Sequence, residues 1–427
     1  MSGLRIAMVT TFYPPHNFGG DGIAVRRLSR ALVRRGHRVT VIHDVDAYRM
    51  LSDGPEPEEE EEEPDGLEVV GLESGLGPVS PLLTHQTGRP VVHGDRIEAL
   101  LEAGEFDVVH YNNVSLVGGP GILELGRGLK LYEAHEHWLV CPTHVLWRHD
   151  REPCDGRECF RCVLHHRRPH QLWRYTGYLE RQLRHVDAFI AKSEFSRRKH
   201  HEFGFPREME VLPYFLPDAR DRDGPAGKTD REETMPHRRP YFLFVGRLEE
   251  IKGLDDVIPL FEGTEGPDLL VAGDGGDADR LRRMGEERPR VRFLGRVPSD
   301  RLSRYYRHAR ALIVPSRCYE TFGIVLIEAF RHGTPVIARR IGPLPEIVER
   351  SGAGLLFEDA DDLRGAMDRL GEEPGLRPEL SDAARRSFSA NWSESAVVPR
   401  YLELVRRHAR SRGDDRILQV LGREQVA

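Results

Sequence analysis

Short apolar runs alternate with segments of helical period along this chain, and the alternation is played out twice. In the first pass Leu4–Thr10 reads as a strand. A helix pattern follows from Ala24 to Arg35, with Val25, Leu28, Ala31 and Leu32 on one face and Gly36 as its stop. Strand patterns recur at Arg38–His43, Leu67–Leu72, Val108–Tyr111, Leu129–Ala134 and Ala188–Ala191, with helix patterns at Ile97–Leu101 and Leu172–Val186. Alternation of this kind builds a parallel sheet covered by helices on both faces. It stops after Val211–Pro217. Residues 218–240 are charged, rich in Gly and Pro and without period, as an interdomain linker would be. A second series starts at Tyr241–Val245 and continues through Leu269–Ala272, Val291–Leu294, Ala311–Val314 and Pro335–Ala338. A chain of 427 residues is too long for one ordinary core. The expectation is an α/β protein with two doubly wound domains, 1–217 and 241–397. A last helix pattern, Val398–Ala409, suggests that 398–427 packs back on the first domain.

Charge narrows the classes of function. The net charge of -7 is matched by one Pro-flanked acidic block, Glu56 and Glu58–Glu63. Such a block reads as a solvated, disordered loop, and the rest of the chain is close to neutral. No basic surplus argues for nucleic acid. No run approaches the ~18 apolar residues that a bilayer requires. The first residues run straight into a strand with too short an apolar stretch for a signal peptide, so a cytoplasmic protein with reduced thiols is expected. Peripheral contact with a membrane, through the basic stretch His165–His170 and the helix after it, is the less favoured reading of an ordinary amphipathic helix.

Ligands of open parallel sheets bind at the carboxyl ends of the strands. Four polar or Gly-rich loops stand there: Phe18–Gly22, Gly246–Gly253, Gly273–Gly276 and the segment holding Glu320 and Glu328. In the second, Arg247 and Lys252 supply two cations beside a helix start, which suits a diphosphate. In the fourth, Glu320 lies in a strand-to-helix loop and Glu328 inside the helix. Between them Phe322 and Gly323 open the helix with backbone N–H groups that have no partner within it. Two carboxylates that accept hydroxyls, with donors for an anion, suit a nucleotide-sugar. Asp44-Val-Asp46, Asp277-Ala-Asp279 and Asp359-Ala-Asp361 each look like metal-holding pairs, but three such strings in an acidic chain make the pattern uninformative.

The motifs Gly246-Arg-Leu-x-x-x-Lys-Gly253, Glu320-x7-Glu328 and Gly333-Thr-Pro-Val-Ile337 together resemble the retaining glycosyltransferases of family 4, which have the GT-B fold. The Gly19-Gly20 loop and Arg35-Gly-His-Arg-Val-Thr40 fit the same family. The resemblance implies two Rossmann-like domains facing each other across a cleft, with the nucleotide-sugar in the second and most of the acceptor in the first. It implies that Arg247 and Lys252 meet the diphosphate, with Gly19 and Gly20 near it, and that Gly273 belongs to the donor site. Glu328 would bond the ribose, and the backbone near Val297 would meet the base. Glu320 and the backbone of Phe322, Gly323 and Ile324 would hold the transferred sugar. A family histidine facing the sugar matches His135, with His137 as competitor and a structural hydrogen bond as the plainer role for either. Retention would follow from same-face attack, with the leaving phosphate taking the acceptor's proton, Glu320 acting as a positioner and no metal required. The expected donor is a UDP-sugar, then a GDP-sugar; the acceptor is a hydroxyl on a natural product, lipid or glycan. The alternatives are a nucleotide-sugar hydrolase or epimerase on the same fold, and a non-catalytic nucleotide-sugar-binding module.

Cys141, Cys154, Cys159 and Cys162 have the spacing C-x12-C-x4-C-x2-C inside a loop-rich insert, 138–170. Four thiolates suit tetrahedral Zn²⁺, with His144 or His149 able to replace one; reduced thiols, disulfides or an iron–sulfur cluster are the other readings. The family does not generally need a metal, so the insert departs from its pattern. Cys318 stands apart with no role assigned.

Overall fold

The computed structural model describes residues 3–52, 54–57, 62–218 and 235–424. It divides into two compact units. The first comprises Met1–Asp150, Asp155–Tyr214 and Val397–Ala427; the second comprises Arg151–Cys154 and Phe215–Ala396. Most of the expected linker lies outside the described residues.

The first unit holds β1 (Arg5–Val9), α1 (Gly20–Arg34), β2 (Arg38–Asp44), α2 (Val45–Leu51), β3 (Leu67–Leu72), α3 (Val79–Thr87), α4 (Gly94–Ala103), β4 (Val108–Tyr111) and β5 (Leu129–Ala134). Two further strands, Ala188–Ala191 and Met209–Val211, complete a parallel seven-stranded sheet in the order β3, β2, β1, β4, β5, Ala188–Ala191, Met209–Val211. β1 is central and wholly apolar on both faces after its first residue: Ile6, Ala7, Met8 and Val9 are all buried. That is the composition a strand needs when helices cover both faces. The strand order reverses between β1 and β4, so the ends of these strands open onto a switch point.

The second unit repeats the plan. Its parallel sheet runs Val291–Gly295, Asp268–Ala272, Tyr241–Val245, Leu312–Val314, Val336–Arg339, Gly354–Phe357. The order reverses between Tyr241–Val245 and Leu312–Val314. The loops leaving these two strands carry Arg247, Lys252 and Glu320. The last strand, Gly354–Phe357, is four residues long and opens on a glycine, so little strand pattern marks it. Gly352, at φ +60°, turns the chain into it.

Three expectations need correction. The helix expected over Leu172–Val186 is broken into 3-10 turns at Leu172–Tyr175 and Leu183–His185 around a short helix, Tyr178–Gln182. Gly177, at φ +67°, interrupts the pattern. Leu172 and Tyr175 consequently stay exposed, while Leu179, Leu183 and Val186 enter the core. The acidic block is not wholly solvated. Glu63 accepts from Arg26 Nε and Arg30 Nε, both at 2.7 Å, and from the Tyr13 hydroxyl at 3.2 Å. Glu56 accepts from Arg49. Cations spaced along α1 and α2 hold its two ends, and Glu58–Glu61 lie outside the described residues. Finally, the cations of Gly246–Gly253 do not stand at an α-helix. The chain there makes a 3-10 turn, Glu250–Lys252, ended by Gly253 at φ +67°.

The helix Glu394–Arg412 contains Pro399, and from Val397 onward the chain belongs to the first unit. There Tyr401 is buried, its ring stacked on His110 with the hydroxyl 3.2 Å from His110 Nδ1. No helix among the described residues is long and apolar enough to cross a membrane.

Candidate functional site

In the second unit three loops are drawn together by backbone contacts that leave no room for side chains. Leu248 N donates to Asp274 O at 2.9 Å, Asp277 N donates to Leu248 O at 2.9 Å, and Arg317 N donates to Ile251 O at 2.8 Å. Gly273 sits at φ +152°, where a Cβ would lie 1.8 Å from Gly246 O. A Cβ on Gly253 would lie 2.2 Å from Pro315 O. Glycine at both positions is a packing requirement as well as a conformational one.

Inside this frame Lys252 Nζ donates to Glu320 Oε1 at 2.9 Å, and Ser316 Oγ donates to the same oxygen at 2.7 Å. Burial pushes the Glu320 carboxyl up, but the Lys252 ammonium and the two hydrogen bonds carry it below its ordinary value. Burial likewise works against the Lys252 charge, and Glu320 more than offsets it, so the ammonium is held above its ordinary value. Both groups are therefore charged at neutral pH. Arg247 is largely exposed and pairs with Glu249 at 2.8 Å, a cation within reach of an incoming anion.

The helix Ile324–Arg331 starts at Gly323, whose φ of +99° is open to glycine and strained for other residues. Glu328, one turn in, accepts from the Tyr306 hydroxyl at 2.9 Å. Tyr306 is buried on Ser299–His308 and stacked on His332, so it fixes one carboxylate oxygen of Glu328. Beneath the loops Asp256 accepts from both Arg317 and Arg339, and Arg339 Nε also donates to Pro315 O at 3.0 Å. Cys318 is buried beside Lys252, and burial pushes its thiol up to about 11, which leaves it unreactive. Val297 lies in the short connection between Val291–Gly295 and Ser299–His308.

In the first unit Gly19 caps α1 and Gly20 is its first residue, so the expected glycine loop is the helix start itself. Gly22 is the sterically required member, since a Cβ there would lie 2.4 Å from Asn17 Oδ1 and 2.8 Å from Phe12 O. His135 follows β5. Asn112 Nδ2 donates to His110 O at 3.1 Å, which turns its Oδ1 toward His135 Nε2 at 3.0 Å. His135 Nε2 therefore carries the proton, and Nδ1 accepts from the Tyr214 hydroxyl at 2.7 Å. Burial pushes its pKa down to about 4, so the ring is neutral. His137, the competitor, is buried with its ring stacked on His200. Behind His135 the buried Lys192 pairs with Glu133 and stands 4.5 Å over the Tyr214 ring. Burial pushes that ammonium down to about 7.

Among the described residues one group of three could hold a metal, and it is Asp44, Asp46 and His93. The other two Asp-x-Asp strings are otherwise employed. Asp359 caps Ala360–Glu372, and Asp277 and Asp279 pair with Arg280 and Arg282. None of the five cysteines is in a disulfide bond. Burial raises the thiol pKa values of Cys159 and Cys162, and the charge of Cys141 adds to both shifts. Ser316, Tyr306, Asn112 and Tyr214 carry no motif, and sequence reasoning missed them. Their only signal is a position next to a strand end or a helical turn from a named residue.

Two family models cover most of the chain: the one described as Glycosyltransferase Family 4 matches residues 18–220, and Glycosyl transferases group 1 matches 227–387. An uncharacterized glycosyltransferase of Methanocaldococcus jannaschii is 33% identical, over 91% of this chain and 95% of its own. The D-inositol 3-phosphate glycosyltransferase of Acidothermus cellulolyticus is 28% identical over 92% of this chain and 88% of its own. Among solved structures, the sucrose-phosphate synthase of Thermosynechococcus elongatus superposes with a TM-score of 0.70 at 20% identity, covering 94% of this chain and 98% of its own. HepE of Anabaena, in complex with UDP, gives 0.62 at 17% identity, covering 94% and 99%.

Proposed function

Because the chain belongs to the family 4 glycosyltransferases and has their GT-B fold, we propose that it transfers a sugar from a UDP-sugar, in preference to a GDP-sugar, to a hydroxyl acceptor with retention of configuration. The observation that carries this reading is the Lys252–Glu320–Ser316 cluster at the sheet's switch point, with Arg247 exposed beside it. As the donor's glycosidic bond breaks, negative charge grows on the leaving diphosphate. Lys252 and Arg247 are fixed cations that stabilise it without reorganisation. Glu320, held in place by Lys252 and Ser316, orients the sugar through its hydroxyls. The start of Ile324–Arg331 offers its N–H groups to the same sugar. Glu328, steadied by Tyr306, accepts from the ribose. Gly273 and the backbone at Val297 flank the nucleotide.

Glu320 is a poor nucleophile in this setting, because its charge is committed to Lys252. Transfer therefore takes the same-face route, with the leaving phosphate accepting the acceptor's proton, and none of these steps needs a metal. From the first unit His135 is assigned to the transferred sugar, and Gly19 and Gly20 to the diphosphate. His137 packs into the core and is assigned no contact. The cysteine-rich insert is assigned a structural Zn²⁺, which would hold as thiolates Cys159 and Cys162, groups that burial otherwise favours as neutral thiols. Zinc analysis of the purified chain tests that assignment, and absence of zinc with all thiols titratable refutes it.

The donor is tested by thermal melting with UDP, GDP, ADP and TDP, since a ligand that binds only the folded state raises Tm. UDP is expected to give the largest rise. No rise with any nucleotide, or turnover of donor to free sugar in the presence of varied acceptors, would overturn the reading.

A further inference from the structure

Asp44, Asp46 and His93 lie outside the donor site and are brought together only by the fold. Asp44 ends β2, Asp46 is in the first turn of α2, and His93 stands just before α4. Each offers one ligand atom, and the three atoms lie within 4.8 Å of one another. All three residues are buried, at 0%, 1% and 5% exposure. His93 Nε2 is 3.1 Å from Asp46 Oδ2. Two donor atoms that share one ion, each at about 2.0–2.2 Å, stand roughly 3 Å apart.

Two features go beyond a cluster of acids. Asp44 Oδ1 accepts from Ala47 N at 2.9 Å, but its Oδ2 is shut off from solvent with no hydrogen-bond partner. A buried acceptor so placed is unfavourable unless a donor or a cation meets it. Asp46 Oδ2 also accepts from Ser74 N at 3.1 Å and from Ser74 Oγ at 2.6 Å. Hydrogen bonds of this sort orient metal-bound carboxylates. Among the described residues neither carboxylate has a lysine or arginine within ion-pair distance; the one basic partner is His93.

We infer that Asp44, Asp46 and His93 form a divalent metal site of the manganese type, tying the β2–α2 corner to the start of α4. Two carboxylates balance the charge of one divalent ion. Mixed oxygen and imidazole ligands suit a first-row metal better than the all-oxygen cages of Ca²⁺. The site is structural, and no step of sugar transfer passes through it.

The test uses the full chain, stripped with chelator and titrated with Mn²⁺ while free Mn²⁺ is followed by electron paramagnetic resonance. Mn²⁺ avoids thiolates, so the cysteine-rich insert does not contribute. The wild type is expected to bind one equivalent. Asp44→Asn and His93→Gln are expected to bind at least tenfold more weakly. Asparagine caps a helix as well as aspartate does, so Asp44→Asn keeps the fold of α2. Mn²⁺ should raise the Tm of the wild type and leave that of Asp44→Asn unchanged. Absence of bound Mn²⁺ in the wild type, or unchanged affinity in Asp44→Asn, would reduce the trio to a hydrogen-bonded brace and overturn the inference.

Discussion

Lys252 is the residue on which structure and chemistry press in opposite directions. Its ammonium is held by Glu320, yet the proposed reaction asks it to face a diphosphate. The pair is partly exposed, so the ammonium can share itself between carboxylate and phosphate without being stripped of solvation first. Lys252→Ala is expected to lower kcat by roughly 10²–10³, the loss typical of one fixed donor to a developing anion. Because the pair is only about one-fifth exposed, the substitution also leaves the Glu320 carboxylate without its cation, so Tm is expected to fall as well, while the protein stays folded and the loss of turnover is the larger effect. Steady-state kinetics with a UDP- or GDP-sugar and a melting curve check both halves; unchanged kinetics would remove Lys252 from the reaction.

At the scale of elements, the glycine that starts Ile324–Arg331 matters more than any side chain in it. Gly323→Ala forces an L-residue to φ +99° and brings a Cβ to 2.9 Å from Leu344 Cδ2. A cost of about 1–2 kcal/mol is expected from the backbone alone. A shifted helix start should also weaken nucleotide binding, which melting and titration calorimetry would separate. Strands were the most legible elements. β3, β4 and β5 stand where the sequence patterns put them, because short runs dominated by Val, Leu and Tyr favour strands even where a charged residue or a histidine interrupts them. Helices were read less well. α2 and α3 are short and carry no clean period, and the run Leu172–Val186 looks helical only if Gly177 is treated as a neutral spacer. In the proposed donor site the sequence marked Arg247, Lys252, Glu320 and Glu328 through their spacing. It hid Ser316 and Tyr306, because a hydroxyl that steadies a carboxylate leaves no pattern along the chain. Asp44-Val-Asp46 was uninformative for the converse reason, since its third partner, His93, is contributed by another loop.

For the molecule as a whole, buried histidines set the response to acid. Burial holds His37, His135 and His200 at about 4, against about 6.5 in the unfolded chain. Their folded-state pKa values are depressed, so the stability they allow is fully present above pH 6.5. It is lost as pH falls toward 4, because the unfolded chain takes up protons that the folded chain refuses. Each represents on the order of 1–3 kcal/mol across that window. The Tm should therefore fall steadily from pH 6.5 to pH 4, and changing His200 to a neutral side chain of similar shape should flatten the fall; a Tm indifferent to pH over this range would contradict the assignment.

The first unit is completed by residues from the far end of the chain: Tyr401 stacks on His110, and Arg412 bonds Asp187 and the carbonyl of Gly128. A ribosome delivers the chain in order, so the domain begun first receives its last pieces after every residue of the other has been made. The second unit has its whole sheet in hand well before Tyr401 is translated, while the nascent first unit must wait with the surface beside His110 uncovered. Order of synthesis and order of completion thus run in opposite senses in this protein.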